Sequence, residues 1–297
     1  MNKRVDIKTG FLCNNNCYFC VQADNKLKGN RSKEKIFNDL NEAKKTGCSG
    51  VVFTGGEVSI RSDFFELLSY AKELGFSTIQ VQTNGRRFCY PDFAKKAIES
   101  GMTEFGPAIH GHIAELHDYL TRAHGSFKQT YEGIKNVRKF DVIIVTNTVV
   151  VKPNYRYLPL IAEMLVKLGV NQYQFAFVHA MGNADKNFDK MIPWISMAAP
   201  FIHKGLQIGI DAGVTVMAEA MPYCQMKGYE KYVSERYIPD TEIRGTSNYD
   251  PDFTKTRQSY GKVKFVQCKK CKYDTVCEGP WREYPEKRGN EEFNHFI

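Results

Sequence analysis

Three closely spaced cysteines form the most reactive segment of this chain. Cys13, Cys17 and Cys20 lie in the run Cys-Asn-Asn-Asn-Cys-Tyr-Phe-Cys. A cubane iron–sulfur cluster is normally held by four thiolates, so three of them leave one iron open to bind and activate a ligand. Structural zinc usually takes two cysteine pairs instead, and for this motif by itself that alternative stays open. The spacing favours an iron–sulfur site with a free coordination position.

A second group of cysteines lies towards the C-terminus. Cys268, Cys271 and Cys277 are close in sequence, and Cys224 precedes them by forty-four positions. Four cysteines can hold a zinc ion or a second cubane cluster, and spacing alone slightly favours zinc as the commoner structural metal. The stretch 221–261 is rich in Tyr, Pro and charge and has little periodicity. We therefore expect a small domain that a metal site stabilises.

The elements that must position these cysteines alternate between strand and helix. Apolar, β-branched runs predict six strands, at 5–11, 50–54, 78–83, 104–109, 142–151 and 172–178. Helical patterns lie between them, at 33–46, 63–74, 92–100, 113–120, 126–139 and 156–168. This alternation predicts parallel, right-handed βαβ units with the helices outside the sheet. After about residue 190 the rhythm changes, although a helix at 195–212 and a short strand at 214–218 are still predicted.

Polar residues stand at or near the carboxyl ends of the predicted strands. Ligands bind at those ends in parallel α/β folds, so the residues should surround one mouth of the sheet. The cysteine run follows the first strand, and the next strands lead to Gly55, Gly56 and Glu57, to Thr83, to His110 and to Asn147. The glycine pair lets the backbone approach a ligand closely, and the neighbouring carboxylate can accept hydrogen bonds from an ammonium group.

The composition is that of an ordinary globular protein of one or two domains. The chain has 297 residues, of which 42% are hydrophobic and 25% charged. It shows neither a transmembrane run nor a secretory signal, so nine cysteines indicate reduced thiols or metal ligands in a cytoplasmic protein. The net charge of +8 is scattered and no RNA-binding aromatic motif accompanies it, so we expect neither a membrane nor a nucleic-acid partner.

The Cys-x3-Cys-x2-Cys loop, the run Phe-Thr-Gly-Gly-Glu and the Thr-Asn-Gly turn together resemble the radical S-adenosylmethionine (radical SAM) superfamily over residues 5–185. The resemblance implies an α/β fold, a partial (β/α)6 TIM-like barrel expected over residues 1–205. It implies a [4Fe–4S] cluster on Cys13, Cys17 and Cys20, whose open iron chelates the amino and carboxylate groups of S-adenosylmethionine. It also implies cofactor-binding roles for Phe19, Gly55, Gly56, Glu57, Thr83, Arg122 and Asn147.

These implied roles differ along the chain. Phe19 should lie by the adenine, the Gly-Gly-Glu run should meet the methionine amino group, and Thr83 and Asn147 should contact the methionyl or ribose moieties. A solvated position suits Arg122 equally well. Two departures from the family pattern are visible: Val58 replaces a usual proline, and the run Ala-Ile-His lacks a serine hydroxyl after the fourth strand. His110 in that run can reach into the pocket instead, as a candidate catalytic residue.

The C-terminal cysteines resemble the central part of the SPASM domain, which carries auxiliary clusters in some radical SAM enzymes. A complete SPASM domain uses seven cysteines, so this chain looks like the shortened, single-cluster "twitch" form. The resemblance implies a second [4Fe–4S] cluster in residues 206–297, with zinc as the alternative. Its ligands would be Cys224, Cys268, Cys271 and Cys277. If Cys224 is not a ligand, one iron stays open to substrate.

The activity implied is reductive cleavage of S-adenosylmethionine to a 5′-deoxyadenosyl radical that takes hydrogen from a substrate. A peptide or protein substrate is favoured by the resemblance, and a dehydrogenase or cyclase acting on a small metabolite is the alternative. Such an enzyme needs a reducing electron donor such as flavodoxin or ferredoxin. A non-catalytic zinc or iron–sulfur binding module is the hypothesis from another class.

Overall fold

One mostly parallel sheet organises the chain. The computed structural model describes residues 3–246 and 248–293. Within these ranges the strands are β1 (Arg4–Lys8), β2 (Gly50–Thr54), β3 (Thr78–Thr83), β4 (Glu104–Pro107), β5 (Ile143–Val150), β6 (Gln172–Phe177), β7 (Thr215–Glu219), β8 (Thr241–Arg244) and β9 (Tyr249–Asp250). Their order in the sheet is β7-β6-β5-β4-β3-β2-β1-β8-β9. Among the strands of the described ranges, β8 and β9 form a short antiparallel pair, whereas the other neighbours pair in parallel.

Helices connect successive strands. They are α1 (Lys33–Lys45), α2 (Phe64–Glu73), α3 (Pro91–Glu99), α4 (Ala114–Thr121), α5 (Ser126–Val137), α6 (Leu158–Lys167), α7 (Asn183–Lys186), α8 (Phe188–Met191), α9 (Ile195–Asp211), α10 (Phe253–Thr256) and α11 (Glu283–Arg288). Short single-turn helices lie between several of them. Within the ranges that the structure describes, no helix is both long and apolar enough to span a membrane.

The six predicted strands are all present, and the expected α/β partial barrel is confirmed. Its sheet is open, because the two edge strands β7 and β9 do not pair with each other in the described ranges. The sheet also extends beyond the six strands. The predicted strand at 214–218 is β7, which pairs in parallel with β6, whereas β8 and β9 were not predicted. The parallel sheet therefore continues past residue 205.

Alternation along the strands separates an apolar face from a polar one. In β1, Val5 and Ile7 are fully buried and belong to the same apolar core as Ile36 and Leu40 of α1. The helix begins cleanly because the Ser32 side chain accepts a hydrogen bond from the Lys35 backbone N–H. Buried side chains at every second strand position thus pack against the buried side of the helix, and this contact joins the sheet to the helical layer.

The opposite face of the sheet carries charged and amide side chains. Gln80 donates to the Glu104 carboxylate at 2.9 Å, and the two residues are neighbours across β3 and β4. Gln174 donates in the same way to Glu219 on β7. Burial raises the pKa of both carboxyl groups, Glu104 and Glu219. An interior of this kind differs from the apolar layers that fill a closed barrel.

Candidate functional site

The cysteine loop, defined as residues 13–20, follows β1 at the carboxyl end of the sheet. Cys13, Cys17 and Cys20 are free and partly exposed. The loop is attached to the end of α4, because the backbone N–H groups of Asn16 and Tyr18 donate to carbonyls of that helix at 3.0 Å each. Carbonyls at a helix C-terminus lack partners within the helix, so this attachment satisfies both elements.

Burial raises the pKa of all three loop thiols, that of Cys13 to about 11. A thiolate loses hydration when it is buried, so the neutral thiol is favoured. The nearby Lys26 charge acts in the opposite direction on each of these pKa values but does not cancel the effect of burial. The metal-free thiols are consequently protonated at neutral pH, and cluster binding must release protons.

The glycine pair after β2 packs directly against the chain that enters the cysteine loop. The Gly56 N–H donates to the Gly10 carbonyl at 2.8 Å, and the Glu57 N–H donates to the Leu12 carbonyl at 2.8 Å. A Cβ atom on Gly55 would lie 2.2 Å from the Gly10 oxygen, and one on Gly56 would lie 2.3 Å from the Leu12 oxygen. The glycines thus allow two backbones to meet, a reason that the sequence interpretation did not include.

Glu57 links two turns of the site. Its side chain is only 3% exposed. One carboxylate oxygen accepts hydrogen bonds from the Ser59 N–H at 3.0 Å, from the Ser59 hydroxyl at 2.5 Å and from the Thr83 hydroxyl at 2.6 Å. The other oxygen accepts the Asn84 N–H at 2.6 Å. Glu57 therefore ties the Gly-Gly-Glu turn to the Thr-Asn-Gly turn after β3, and one lone pair on the second oxygen remains available.

Asn147 presents an unpaired acceptor. Its side-chain oxygen Oδ1 is buried and has no hydrogen-bond partner in the described ranges. The residue lies beside Ala108 across β5 and the end of β4, and its carbonyl accepts the Ile109 N–H at 3.0 Å. Buried polar atoms are normally satisfied, so an orphan oxygen fits a ligand that donates a hydroxyl or amino group. The S-adenosylmethionine contacts implied for this position match that requirement.

His110 lies next to Phe19, as a buried aromatic pair. The two rings meet edge to face with centroids 4.7 Å apart, and His110 is 4% exposed. The Val149 N–H donates to His110 Nδ1 at 3.2 Å. Burial, together with the neighbouring His117, lowers the pKa of His110 well below its usual value. The ring is therefore neutral and carries its proton on Nε2.

Arg122 lies outside this group of contacts. It is exposed, adopts the left-handed conformation with φ 54° at the end of α4, and places its guanidinium 4.9 Å from the ring centroid of Tyr18 in the cysteine loop. Left-handed backbone is uncommon for a residue other than glycine. This cation–π contact connects Arg122 to the cysteine loop, which the sequence pattern did not indicate.

The C-terminal cysteines converge although they are distant in sequence. Cys224, Cys268, Cys271 and Cys277 all line one cavity, together with aromatic and proline side chains. Burial raises the pKa of Cys224 to about 12, and the other three thiols add to the rise. In residues 3–246 and 248–293, no three Cys, His, Asp or Glu side chains are close enough to hold a single metal ion. The structure thus brings the four cysteines that the sequence named as candidate ligands to one cavity.

A stack of side chains joins this C-terminal segment to the end of β6. The rings of His179 and Trp281 are parallel with centroids 4.1 Å apart, and Lys262 Nζ lies 4.0 Å from the centroid of the Trp281 ring. Buried Lys262 is paired with Glu235 at 3.2 Å, and His179 contacts Glu283 at 2.9 Å. These contacts connect the segment that carries the C-terminal cysteines to the sheet that carries the cysteine loop.

Most of the contacts that hold the cysteine loop were not predicted from the sequence. Asn183, four residues beyond His179, donates from its backbone to the Cys20 carbonyl at 3.0 Å and from its side chain to the Cys17 carbonyl at 2.8 Å. Lys26 and Arg86 also donate to the loop. Asn183 ends a Met-Gly-Asn run soon after the sixth predicted strand, and that position near a strand end is a signal that could have found it.

Comparisons with known proteins identify the family of this chain. The family model described as the radical SAM superfamily matches residues 7–165. The AdoMet-dependent heme synthase of Methanosarcina barkeri is 28% identical over 183 residues, which cover 61% of this chain and 52% of that protein. A probable GTP 3′,8-cyclase of Saccharolobus islandicus is 30% identical over 176 residues, which cover 58% of this chain and 55% of that protein. The chain spans about half the length of these relatives.

Solved structures share the fold. Streptococcus suis SuiB bound to precursor peptide SuiA superposes with a TM-score of 0.70 at 13% identity, over 99% of this chain and 74% of that one. Native anSMEcpe with bound AdoMet gives a TM-score of 0.70 at 14% identity, over 99% of this chain and 93% of that one. At these identities the likeness concerns architecture alone. The family model, however, covers more than half of the sequence, and the chain belongs to the radical SAM superfamily.

Proposed function

We propose that this chain cleaves S-adenosylmethionine reductively at a [4Fe–4S] cluster held by Cys13, Cys17 and Cys20. The superfamily implies both cofactors, and the observation that carries the assignment of residues is the position of the cysteine loop. The chain that enters the loop is hydrogen-bonded to the Gly-Gly-Glu turn, and the loop itself lies beside the turn after β3, where Asn84 approaches Cys13 Sγ at 4.0 Å. When bound, the cluster and S-adenosylmethionine supply a 5′-deoxyadenosyl radical that takes hydrogen from a substrate.

The residues of this chain would then bind and orient the cofactor. The remaining lone pair of Glu57 can accept from the methionine ammonium, and Thr83 holds that carboxylate in place. The orphan oxygen of Asn147 can accept from a hydroxyl or amino group. The buried rings of Phe19 and neutral His110 would exclude water from one side of the pocket, which limits side reactions of a radical. His110 stays a proposed pocket residue, and Arg122 acts through Tyr18.

Product analysis under anaerobic conditions tests this proposal. The reconstituted protein, incubated with S-adenosylmethionine and a strong reductant, should release methionine and 5′-deoxyadenosine. A reducing donor such as flavodoxin or ferredoxin should replace the chemical reductant. A colourless, zinc-loaded protein that neither binds nor cleaves S-adenosylmethionine would instead support the non-catalytic binding module.

We also propose that residues 206–297 form a twitch-like domain with an auxiliary [4Fe–4S] cluster on Cys224, Cys268, Cys271 and Cys277. All four thiols line one cavity. Four cysteine thiolates are the full ligand set of a cubane cluster. About eight irons per chain would support two cubanes, and about four with one zinc would reject the auxiliary cluster.

The substrate that we favour is a peptide or protein. Two structural neighbours were solved with peptides, SuiB with precursor peptide SuiA and anSMEcpe with the Cp18Cys peptide. The small-metabolite alternative has its own support, because the sequence relatives are named heme synthase and GTP 3′,8-cyclase. Deuterium transfer from labelled candidates into 5′-deoxyadenosine distinguishes them. Transfer from peptides alone supports the first assignment, and transfer from small metabolites alone overturns it.

A further inference from the structure

Two cationic side chains hold the cysteine loop although neither belongs to the expected ligand set. Lys26 lies on a short helix, Ala23–Lys28, beyond the last loop cysteine. Its ammonium donates to the Asn15 carbonyl at 3.0 Å and to the Asn16 side-chain oxygen at 3.1 Å. Both bonds are charge-assisted, and such bonds are stronger than those between neutral groups. Lys26 therefore fixes the middle of the loop from one side.

Arg86 holds the same part of the loop from the turn after β3. Its Nη1 donates to the Asn14 carbonyl at 2.6 Å and to the Asn15 side-chain oxygen at 2.9 Å. Its Nε donates to Gln129 at 2.6 Å, which orients the planar guanidinium. Both cations thus converge on Asn15, a residue that is only 6% exposed.

The geometry of a single peptide unit connects Arg86 to a cysteine sulfur. The carbonyl of Asn14 and the N–H of Asn15 belong to one trans peptide unit, so they point in opposite directions. Arg86 binds the carbonyl, and the N–H on the other side donates to Cys13 Sγ at 3.3 Å. Holding the carbonyl therefore directs the N–H at the sulfur.

We propose that Lys26 and Arg86 are positioning residues that order the cysteine loop before the cluster binds and then raise the reduction potential of that cluster. Hydrogen bonds to the sulfurs and net charge both set the potential of an iron–sulfur cluster. An N–H donor and two nearby positive charges stabilise the reduced, more negative state. This inference rests on the proposed function, because it concerns the same three cysteines.

Hydrogen exchange of the metal-free protein tests the ordering role. Lys26→Met and Arg86→Met should increase amide exchange in residues 13–20 by about tenfold or more, since each loses charge-assisted hydrogen bonds. The matched controls are Lys28→Met and Arg87→Met, which remove exposed cations one or two positions away. If Arg86→Met does not fold, Gln129→Met is used in its place, because the second variant removes only the acceptor that orients the Arg86 guanidinium.

Redox titration of the reconstituted protein tests the second role. Lys26→Met and Arg86→Met should shift the midpoint potential of the cluster on Cys13, Cys17 and Cys20 to more negative values than the two controls. Lys26→Arg should restore both readouts because it keeps charge and donors. Arg86→Lys keeps the positive charge but loses the planar set of guanidinium donors. The midpoint potential of the cluster should therefore shift less than in Arg86→Met, whereas amide exchange in residues 13–20 should stay as fast as in Arg86→Met.

The outcomes separate this inference from the proposed function. Unchanged exchange in both methionine variants overturns the ordering role, and faster exchange with an unchanged potential overturns the tuning role. If the wild-type protein binds no cluster at these cysteines, the proposed function fails. The exchange experiment, which needs no cluster, then still decides whether Lys26 and Arg86 order the loop.

Discussion

Glu57 is the residue on which the strand-end turns converge. The sequence predicted its position at the mouth, because the Gly-Gly-Glu run follows a strand and the cysteine loop precedes it. The sequence could not predict that four donors from the chain itself surround the carboxylate. The contacts of Lys26 and Arg86 escaped prediction for the same reason. A motif shows which residues do chemistry, whereas partners supplied from distant positions depend on the folded geometry.

Replacing Glu57 by glutamine should therefore weaken the fold as well as cofactor binding. The new amide group would face donors on Ser59, Thr83 or Asn84 where an acceptor is needed. Leaving buried donors unpaired costs about 1–3 kcal/mol each, so the free energy of unfolding should fall by about 2–3 kcal/mol. Chemical denaturation of the metal-free protein measures this. Glu66→Gln, at an exposed position, is the control, and equal stability of the two variants would contradict the network.

His117 should make the metal-free protein sensitive to acid. Burial lowers its pKa from 6.5 to about 4 in the folded state. The unfolded chain thus binds a proton first, so the stability contributed by neutral His117 is complete above pH 6.5 and is lost as the pH falls towards 4. The full effect is about 3 kcal/mol.

Denaturation at a series of pH values checks this window. In His117→Asn the new side chain keeps an acceptor for the backbone N–H of His110 but does not titrate. The variant should therefore lose less stability than the wild type between pH 6.5 and 4. The exposed His124→Asn should leave the loss unchanged. A pH dependence equal to that of the wild type in both variants would show that His117 is not the responsible group.

At the scale of elements, the regular βα units were predictable and the C-terminal strands were not. Repeated apolar, β-branched runs located the first six strands, and the helical patterns between them located the helices. Strand β8 was missed because its buried position 242 is a glutamate, which breaks the apolar pattern. Glu242 is paired there with Lys3 at 3.0 Å and with Arg244 at 2.9 Å. Burial of a charge becomes favourable only through partners that the fold brings together.

The turn after β2 offers a test of how elements meet. Gly56→Ala would place a methyl group 2.3 Å from the Leu12 carbonyl oxygen, so the chain entering the cysteine loop must move. We expect a loss of about 1–3 kcal/mol in stability and less iron at Cys13, Cys17 and Cys20. Gly50→Ala is the matched control, since its methyl group meets Arg4 Cβ at 3.4 Å and Thr78 Cβ at 3.5 Å, which are ordinary contacts. Equal iron content in the two variants would argue against this packing.

Across the whole molecule, the C-terminal segment is joined to the barrel mouth by the His179–Trp281–Lys262 stack. The sequence indicated a second, metal-stabilised unit but not this contact, because His179 and Trp281 are about a hundred positions apart. The stack brings a buried cation, an indole ring and an imidazole ring into contact. It gives the two cysteine groups a common support.

Trp281→Leu should loosen this support. Loss of the ring removes apolar burial and a cation–π contact, at a cost of about 2–4 kcal/mol. Limited proteolysis should then cut residues 206–297 faster than in the wild type. Trp194→Leu, which alters the other tryptophan at a half-exposed position, serves as the control. If both variants resist protease equally, the stack does not hold the segment.

Reductive cleavage of S-adenosylmethionine at the cysteine loop is the central claim, and 5′-deoxyadenosine yield tests it most directly. The yield should be measured anaerobically, with excess reductant, in the wild type, in Cys17→Ala and in Cys48→Ala. Cys48 is buried outside the loop and serves as the control. We predict turnover in the wild type and Cys48→Ala and none in Cys17→Ala. Absence of 5′-deoxyadenosine from the iron-loaded wild type, or an undiminished yield in Cys17→Ala, would contradict the account.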